Sequence, residues 1–206
     1  KDTKPKEALS YYKKSLDIDE TYLPALVQAG FTAANTMNLF DVALVYLNRA
    51  DNILKSRNST KTADYANFKT NIGVAYHSKG DLDRALKHYM DSQSIRDGLG
   101  LQNTAVYALQ MTNISAAYRS KGDLDQSLKY SIESQQILKR LGLQNTADYA
   151  LIMANLGTAY MAKGDVDRAL RCFMDSQEIR DRLGLRKTVQ YAILMNNIGF
   201  VYFSRG

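Results

Sequence analysis

A short stretch recurs along this chain: Asn71-Ile72-Gly73-Val74-Ala75-Tyr76, followed by Lys79-Gly80-Asp81. Equivalent stretches begin at Asn113, Asn155 and Asn197, so the spacing is 42 residues each time. A fixed period between about 20 and 50 residues is typical of stacked arrays in which each repeat is one supersecondary unit. The stretch therefore predicts a repeat protein, and the other residues are interpreted within that period.

The composition is that of an ordinary globular protein of 206 residues. It is 45% hydrophobic and 23% charged, and it contains only two prolines, which favours long uninterrupted helices. No run of about 18 apolar residues is present that could span a membrane. The single cysteine, Cys172, cannot form an internal disulfide and fits a reducing compartment. We therefore expect a cytoplasmic protein, or one that belongs to a cytoskeletal or axonemal assembly.

Each period is predicted to contain two helices joined by a tight turn. A threonine, which is a fair N-cap, stands where each first helix should begin, at Thr62, Thr104, Thr146 and Thr188. Apolar residues then follow at helical spacing. The Lys-Gly-Asp turn should end this helix, because glycine supplies a left-handed C-terminal residue and aspartate can cap the next helix. A Gly-Leu pair at the end of the period is a stop signal for the second helix.

The period predicts how the chain is divided. The regular array has three complete repeats and a partial one, at residues 62–103, 104–145, 146–187 and 188–206. Residues 1–61 are predicted to be less regular helices with a shorter period, and the whole is expected to be a single continuous solenoid. A first helix is missing before residues 1–17, and a second helix is missing after residues 188–206. Because such ends leave apolar faces uncovered, we expect a segment of a longer protein.

The pattern resembles a tetratricopeptide repeat. The resemblance is carried by Gly73 and Tyr76 in the first helix, Gly80 in the turn, and Ala85 and Tyr89 in the second helix, together with their copies. The resemblance implies an all-α fold, a right-handed α-solenoid of stacked helix-turn-helix units, and a role in binding other proteins.

The period of 42 residues, rather than the usual 34 or so, is similar to that of the kinesin light chain repeats. The sequence Ile95-Arg96-Asp97 followed by Leu99-Gly100 is also similar to those repeats. Two departures are visible. The His-Pro pair that commonly precedes the first helix is absent, and the second repeat has Ser127 and Ser131 where alanine and an aromatic residue are expected.

The sequence contains no constellation typical of a catalytic or metal site. His77 and His88 have no histidine at the same position of another repeat, and Cys172 has no cysteine or histidine at ligand spacing. Gly98-Leu99-Gly100 follows a predicted helix rather than a strand, so it is not a phosphate-binding loop. We therefore predict a protein that is not an enzyme and that uses no metal or cofactor.

Asparagine is the repeated residue that helix packing does not explain. Asn71, Asn113, Asn155 and Asn197 lie in the middle of predicted helices, where asparagine has low propensity. One interpretation is a structural amide that bonds the backbone of a neighbouring helix. The other is an asparagine ladder on the concave groove. Similar ladders in tetratricopeptide arrays bind the main chain of an extended peptide, and we favour this interpretation.

The neighbours of these asparagines predict the chemistry of the groove. The further candidate peptide-binding residues are Leu109, Leu151 and Ile193, one turn before an asparagine, and Arg119 and Thr158. Repeats that capture the C-terminal tails of chaperones need basic residues around the asparagine, so aliphatic residues there argue against such a tail. A mainly apolar groove with Arg119 at its middle suits an extended or helical segment with aliphatic anchors.

Three alternatives to groove binding stay open. The net charge of +6 is compatible with nucleic-acid binding, whose affinity would fall steeply with salt. Basic and acidic residues are interleaved, however, as in Arg180-Asp181-Arg182, which favours a solvated surface. The chain could also be an architectural subunit of a cytoskeletal or axonemal assembly, or regulate an enzymatic domain elsewhere in the full protein. We predict a protein partner, and neither nucleic acid nor membrane.

Overall fold

The computed structural model describes residues 4–204, and all regular secondary structure in that range is α-helical. The chain forms two compact units, an N-terminal unit that ends at Leu99 and a C-terminal unit that begins at Gly100. Arg205 and Gly206, the last residues of the fourth predicted turn, lie outside the described range. None of the helices within residues 4–204 is both long enough and apolar enough to cross a membrane.

The N-terminal unit contains five of the described helices. They are α1 (Lys4–Ile18), α2 (Leu23–Asn35), α3 (Phe40–Ser56), α4 (Ala63–Lys79) and α5 (Leu82–Gly98). Helices α2 and α3 pack along each other, as do α4 and α5, and α3 also packs against α4. Leu26, Leu47, Ile72 and Tyr89 are fully buried between these helices.

The C-terminal unit contains the other five described helices. They are α6 (Ala105–Lys121), α7 (Leu124–Arg140), α8 (Ala147–Ala162), α9 (Val166–Arg182) and α10 (Val189–Ser204). Helices α6 and α7 form one hairpin and α8 and α9 another, and α7 packs against α8. The first helices of successive repeats, α6, α8 and α10, also contact one another, so they form one face of this unit.

The predicted helix starts are confirmed. The hydroxyl oxygens of Thr62, Thr104 and Thr146 each accept a hydrogen bond from a backbone N–H three residues later, at 3.1–3.2 Å. Thr188 does the same at the start of α10. The carboxylates of Asp81, Asp123 and Asp165 cap the second helices in the same way. These caps satisfy backbone donors that have no partner inside the helix.

The predicted turn glycine is also confirmed. Gly80, Gly122 and Gly164 have φ of +86°, +87° and +79°, in the left-handed region that side chains disfavour. The backbone N–H of Asp81 then donates to the carbonyl of Tyr76 at 2.9 Å, which closes the end of α4. The turn therefore brings the second helix back along the first, in register for packing.

The small residues of the first helices permit close helix packing. A Cβ at Gly73 would lie 2.5 Å from Tyr89 Cε1, and one at Gly157 would lie 2.7 Å from Phe173 Cε1. In the intervening hairpin a serine cluster occupies this space, since Ser115 Oγ lies 2.6 Å from Ser131 Oγ. Ser131, which stands where an aromatic residue is expected, therefore has a hydrogen-bond partner in the first helix.

A repeated serine joins the two helices of each hairpin. Ser92, Ser134 and Ser176 are fully buried, and each donates its hydroxyl to a carbonyl of the preceding first helix at 2.6–2.7 Å. These bonds hold the start of each first helix against the later part of the second helix.

The all-helical fold is confirmed, whereas the division at residues 61 and 62 and the single continuous array stay predictions.

Candidate functional site

The repeated asparagines of the C-terminal unit lie on helices that touch. Asn113 is on α6, Asn155 on α8 and Asn197 on α10, at the same position of each helix. Because α8 contacts both α6 and α10, these positions follow one another across the face that the first helices form. Asn71 occupies the equivalent position of α4 in the N-terminal unit.

The asparagine side chains are accessible and have no partner in the part of the chain that the structure describes. Asn71 is exposed, and Asn113, Asn155 and Asn197 are half-buried. No hydrogen bond joins any of the four amides to another residue within 4–204. The residues two positions later, Gly73, Ser115 and Gly157, are buried in the helix interface instead. The amide donors and acceptors therefore stay available.

Two concave pockets include a repeated asparagine. In the N-terminal unit, Asn67 and Asn71 line a pocket of about 340 Å³, whose walls include Val27 and Phe31. In the C-terminal unit, Asn197 lines a pocket of about 290 Å³ with Thr158, Met161 and Phe200. In both places an amide stands beside apolar surface. Such a surface can bind a chain that offers both peptide groups and apolar side chains.

The predicted aliphatic residues differ in exposure. Leu109 is half-buried, Leu151 is 37% exposed and Ile193 is 55% exposed. Thr158 shares the pocket of Asn197, but its hydroxyl already donates to the carbonyl of Ala154 at 2.9 Å. Thr158 therefore contributes mainly its methyl group to the pocket wall.

Arg119 near the end of α6 is half-buried. Burial lowers the pKa of its guanidinium, and no hydrogen bond or ion pair engages that guanidinium within the described residues. It offers up to five donors to an acidic group.

The sequence interpretation missed two clusters of buried polar residues. Arg96 on α5 is buried and donates from Nη2 to Asn67 Oδ1 at 2.7 Å. Asp51 on α3 accepts hydrogen bonds from the Tyr65 hydroxyl at 2.7 Å and from Lys69 Nζ at 3.1 Å. A signal for both was present, because each cluster contains a polar residue where another repeat has an apolar one. The Tyr65 hydroxyl therefore has a hydrogen-bond partner on the preceding helix.

The described residues contain no group of three or more His, Cys, Asp or Glu side chains that could hold a metal ion. Cys172 is buried, and burial raises the pKa of its thiol to about 11. The thiol is therefore protonated at neutral pH, which is the unreactive form.

Two segments of the sequence match models of a known family. Residues 66–97 and residues 152–183 each match a model described as tetratricopeptide repeat. These two segments are tetratricopeptide repeats. The first matched segment lies in the N-terminal unit and the second in the C-terminal unit, so each unit contains a matched repeat. No curated protein matches the sequence significantly.

Solved structures share the tetratricopeptide fold of this chain. BtubC (BKLC) from P. vanneervenii superposes with a TM-score of 0.77 at 19% identity, over 98% of this chain and 82% of that one. A putative kinesin light chain from Podosopora anserina, with nearly identical TPR-like repeats, gives 0.74 at 12% identity, over 87% and 88%. MamA gives 0.65 at 18% identity, over 85% and 88%. At these identities the similarity shows the fold alone.

Proposed function

We propose that the chain is a protein–protein interaction scaffold that binds an extended or helical segment of a partner along the face of its first helices. The observation that carries the proposal is the repeated mid-helix asparagine, whose amide has no hydrogen-bond partner within the described residues. A residue that costs helix stability and that bonds nothing in the fold is explained by a ligand. We assign Asn113, Asn155 and Asn197 of the C-terminal unit to the binding of the partner's main chain. Asn71 is assigned the equivalent role in the N-terminal unit.

The spacing of the asparagines suits an extended peptide. Neighbouring packed helices lie about 8–10 Å apart, and an extended chain advances about 3.3 Å per residue. One asparagine on each first helix would therefore meet roughly every third peptide group. A primary amide offers both donors and an acceptor, so it can pair with the N–H and the C=O of one peptide unit.

The apolar residues beside the ladder would supply most of the affinity. Leu151 and Ile193 are exposed on successive first helices, and Leu109 is half-buried on the one before. In peptide recognition a few anchors contribute most of the binding free energy, while main-chain bonds set register. Arg119 would donate hydrogen bonds to an acidic side chain of the partner, since its guanidinium has no acceptor within the described residues.

The test removes two amides from the C-terminal unit. Dodecapeptides selected from a random library on the wild-type chain provide the probe, and fluorescence anisotropy gives their dissociation constants. Asn113→Ala combined with Asn155→Ala should weaken binding about 30-fold, because each lost pair of main-chain hydrogen bonds contributes roughly 1 kcal/mol. The melting temperature should not fall, since neither amide bonds within the fold.

A matched control changes two other helical asparagines. Asn52 on α3 and Asn196 on α10 are both exposed, and Asn196 directly precedes the ladder residue Asn197. Asn52→Ala with Asn196→Ala should leave peptide affinity within twofold of wild type. A ladder variant that binds as tightly as this control would overturn the assignment of the asparagines to binding. A ladder variant that unfolds would instead support a structural amide.

A further inference from the structure

One arginine in the C-terminal unit is buried without a partner. Arg180 on α9 exposes 5% of its surface, and its Nε has no hydrogen-bond partner. No hydrogen bond or ion pair engages its guanidinium anywhere within residues 4–204. A buried charge with no counter-charge destabilises a fold, so packing alone does not account for Arg180.

The acidic residues close to Arg180 along the helix are paired with other arginines. Asp181 accepts a hydrogen bond from Arg186 at 2.8 Å. Glu178 pairs with Arg182 at 3.8 Å. Burial lowers the pKa of the Arg180 guanidinium, and no neighbouring acid opposes that shift.

The equivalent arginine of the N-terminal unit has an acceptor. Arg96 stands two periods earlier and is 3% exposed. Its Nη2 donates to Asn67 Oδ1 at 2.7 Å. Asn67 is itself exposed, lies one turn before Asn71, and lines the same pocket. An arginine at this position of the second helix therefore reaches the side of the first helix that carries the ladder.

The C-terminal unit has no acceptor at that position. Leu151 stands where the other unit has Asn67, one turn before Asn155, and it is 37% exposed. The intervening hairpin shows that leucine can fill the position of the arginine, since Leu138 there is fully buried. Arg180 is thus not needed to fill space, and its guanidinium has no acceptor within residues 4–204.

On the basis of the proposed peptide binding, we infer that Arg180 binds the carboxylate of an Asp or Glu side chain of the partner segment, beside Leu151 on α8. A guanidinium is planar and can bond a carboxylate through two parallel N–H groups. The low dielectric around a buried arginine strengthens that pair. A terminal carboxylate is the weaker match, because its capture uses several converging donors, whereas Arg180 is a single side chain.

The test uses two random dodecapeptide libraries, one with a blocked C-terminus and one with a free C-terminus. Peptides selected on the wild-type chain from the blocked library should carry an acidic residue at one fixed register. Replacing that acid by its amide should weaken binding to wild type about 30-fold or more, the usual effect of breaking a buried charged pair. Binding to Arg180→Leu should be insensitive to the same replacement.

Three variants separate the role of Arg180 from folding and from net charge. Arg180→Leu reproduces the residue found at Leu138, so its melting temperature should equal or exceed that of wild type. Leu151→Asn gives Arg180 the internal acceptor that Arg96 has, and it should reduce the preference for the acidic peptide. Arg171→Leu removes an exposed arginine of the same helix and should leave that preference unchanged.

The outcomes distinguish this inference from the proposed function. Two outcomes would overturn the role of Arg180 alone. In the first, peptides depend on Asn113 and Asn155 but carry no acidic residue at a fixed position. In the second, the preference for an acidic residue survives Arg180→Leu. If peptides that bind are obtained only from the library with a free C-terminus, the assignment of Arg180 to a side-chain carboxylate is wrong. If neither library yields a peptide that depends on the ladder, the proposed function fails, and this inference fails with it.

Discussion

Two equivalent helix junctions, one in each unit, differ in the chemistry of their buried polar residues. Between α3 and α4, Lys69 Nζ lies 3.1 Å from the carboxylate of Asp51 and 3.4 Å from that of Asp91. Between α7 and α8 the same two positions hold Gln135 and Met153, where Gln135 Nε2 lies 3.4 Å from the methionine sulfur. One junction is therefore ionic and the other neutral, although both occupy the same position relative to the repeat.

A buried tyrosine is the feature that the two junctions have in common. Tyr65 donates its hydroxyl to Asp51, and the hydroxyl of Tyr149 is a hydrogen-bond partner of Gln135. Both tyrosines are buried, and burial raises the pKa of each hydroxyl. Helix packing thus sets a space that holds a hydrogen-bond partner for the tyrosine hydroxyl. The residue that faces this partner across the junction can be either charged or apolar, provided that both are exchanged together.

The ionic junction depends on the charge balance around Asp51. Burial by itself would raise the pKa of this carboxyl, but hydrogen bonds from Lys55, Tyr65 and Lys69 outweigh it and hold the pKa below its ordinary value. Lys69 is 3% exposed. Loss of the carboxylate would therefore leave a buried ammonium with only the more exposed Asp91 beside it.

The largest expected effect comes from breaking this pair. Asp51→Ala should lower the free energy of unfolding by about 3–5 kcal/mol, because it leaves the Lys69 charge uncompensated and the Tyr65 hydroxyl without its acceptor. Urea denaturation followed by circular dichroism would measure the change. A loss below about 1 kcal/mol would mean that Lys69 finds enough compensation in Asp91.

The neutral junction supplies the matched control for that variant. Asp51→Gln combined with Lys69→Met installs the pair found at Gln135 and Met153. It should be neutral or stabilising relative to wild type, since replacing both members of a buried ion pair avoids the desolvation penalty. If this double variant is as unstable as Asp51→Ala, the two junctions are not interchangeable.

A smaller effect is expected where the two hairpins are alike. Gly73 packs on Tyr89 and Gly157 packs on Phe173, with no room for a Cβ in either place. Gly157→Leu should lower the free energy of unfolding by roughly 1–3 kcal/mol, because the aromatic ring must move. Gly73→Leu should cost a similar amount in the other hairpin, again by urea denaturation. Gly199→Leu is the control, since no atom of residues 4–204 other than its chain neighbours and its own helix backbone lies within 4 Å of a Cβ placed there.

A further effect, confined to acidic pH, is a pH dependence that only the N-terminal hairpin should show. His88 stacks on Tyr76, and its Nδ1 lies 3.5 Å from Lys69 Nζ. Burial and then the charge of Lys69 lower the pKa of His88 to about 4, although Asp51 and Asp91 oppose that shift. The unfolded chain therefore binds this proton at a higher pH than the folded chain does. Stability from this group is present above pH 6.5 or so and is lost as the pH falls toward 4.

The measurement compares urea midpoints at pH 7 and pH 4.5 for wild type and His88→Gln. The wild-type midpoint should fall more between the two pH values than the variant midpoint does. Cys172 occupies the equivalent position of the other hairpin, and its thiol does not titrate in this range because burial raises its pKa to about 11. Equal shifts for wild type and variant would exclude His88 as the source.

Much of the fold could be predicted from single residues because their roles are local. A threonine cap, an aspartate cap and a left-handed glycine act on backbone groups within four residues, so the period reveals them without any knowledge of neighbours. Gly73 and Gly157 recur together with a small residue, Ala85 or Ala169, in the second helix, and small residues on facing helices indicate close packing. The candidate site could be predicted only as far as the asparagines that packing left unexplained.

The sequence by itself determined the repeat, the helices and turns, and the row of asparagines, because each depends on spacing along one chain. Only the tertiary structure decided which polar residues are partnered. Asp51 and Lys69 are 18 positions apart, and Arg96 and Asn67 are 29 positions apart. Their pairing depends on how helices meet, which no local rule describes. The burial of Arg180 and its lack of a partner within residues 4–204 likewise depend on how helices meet. The sequence alone could not predict them.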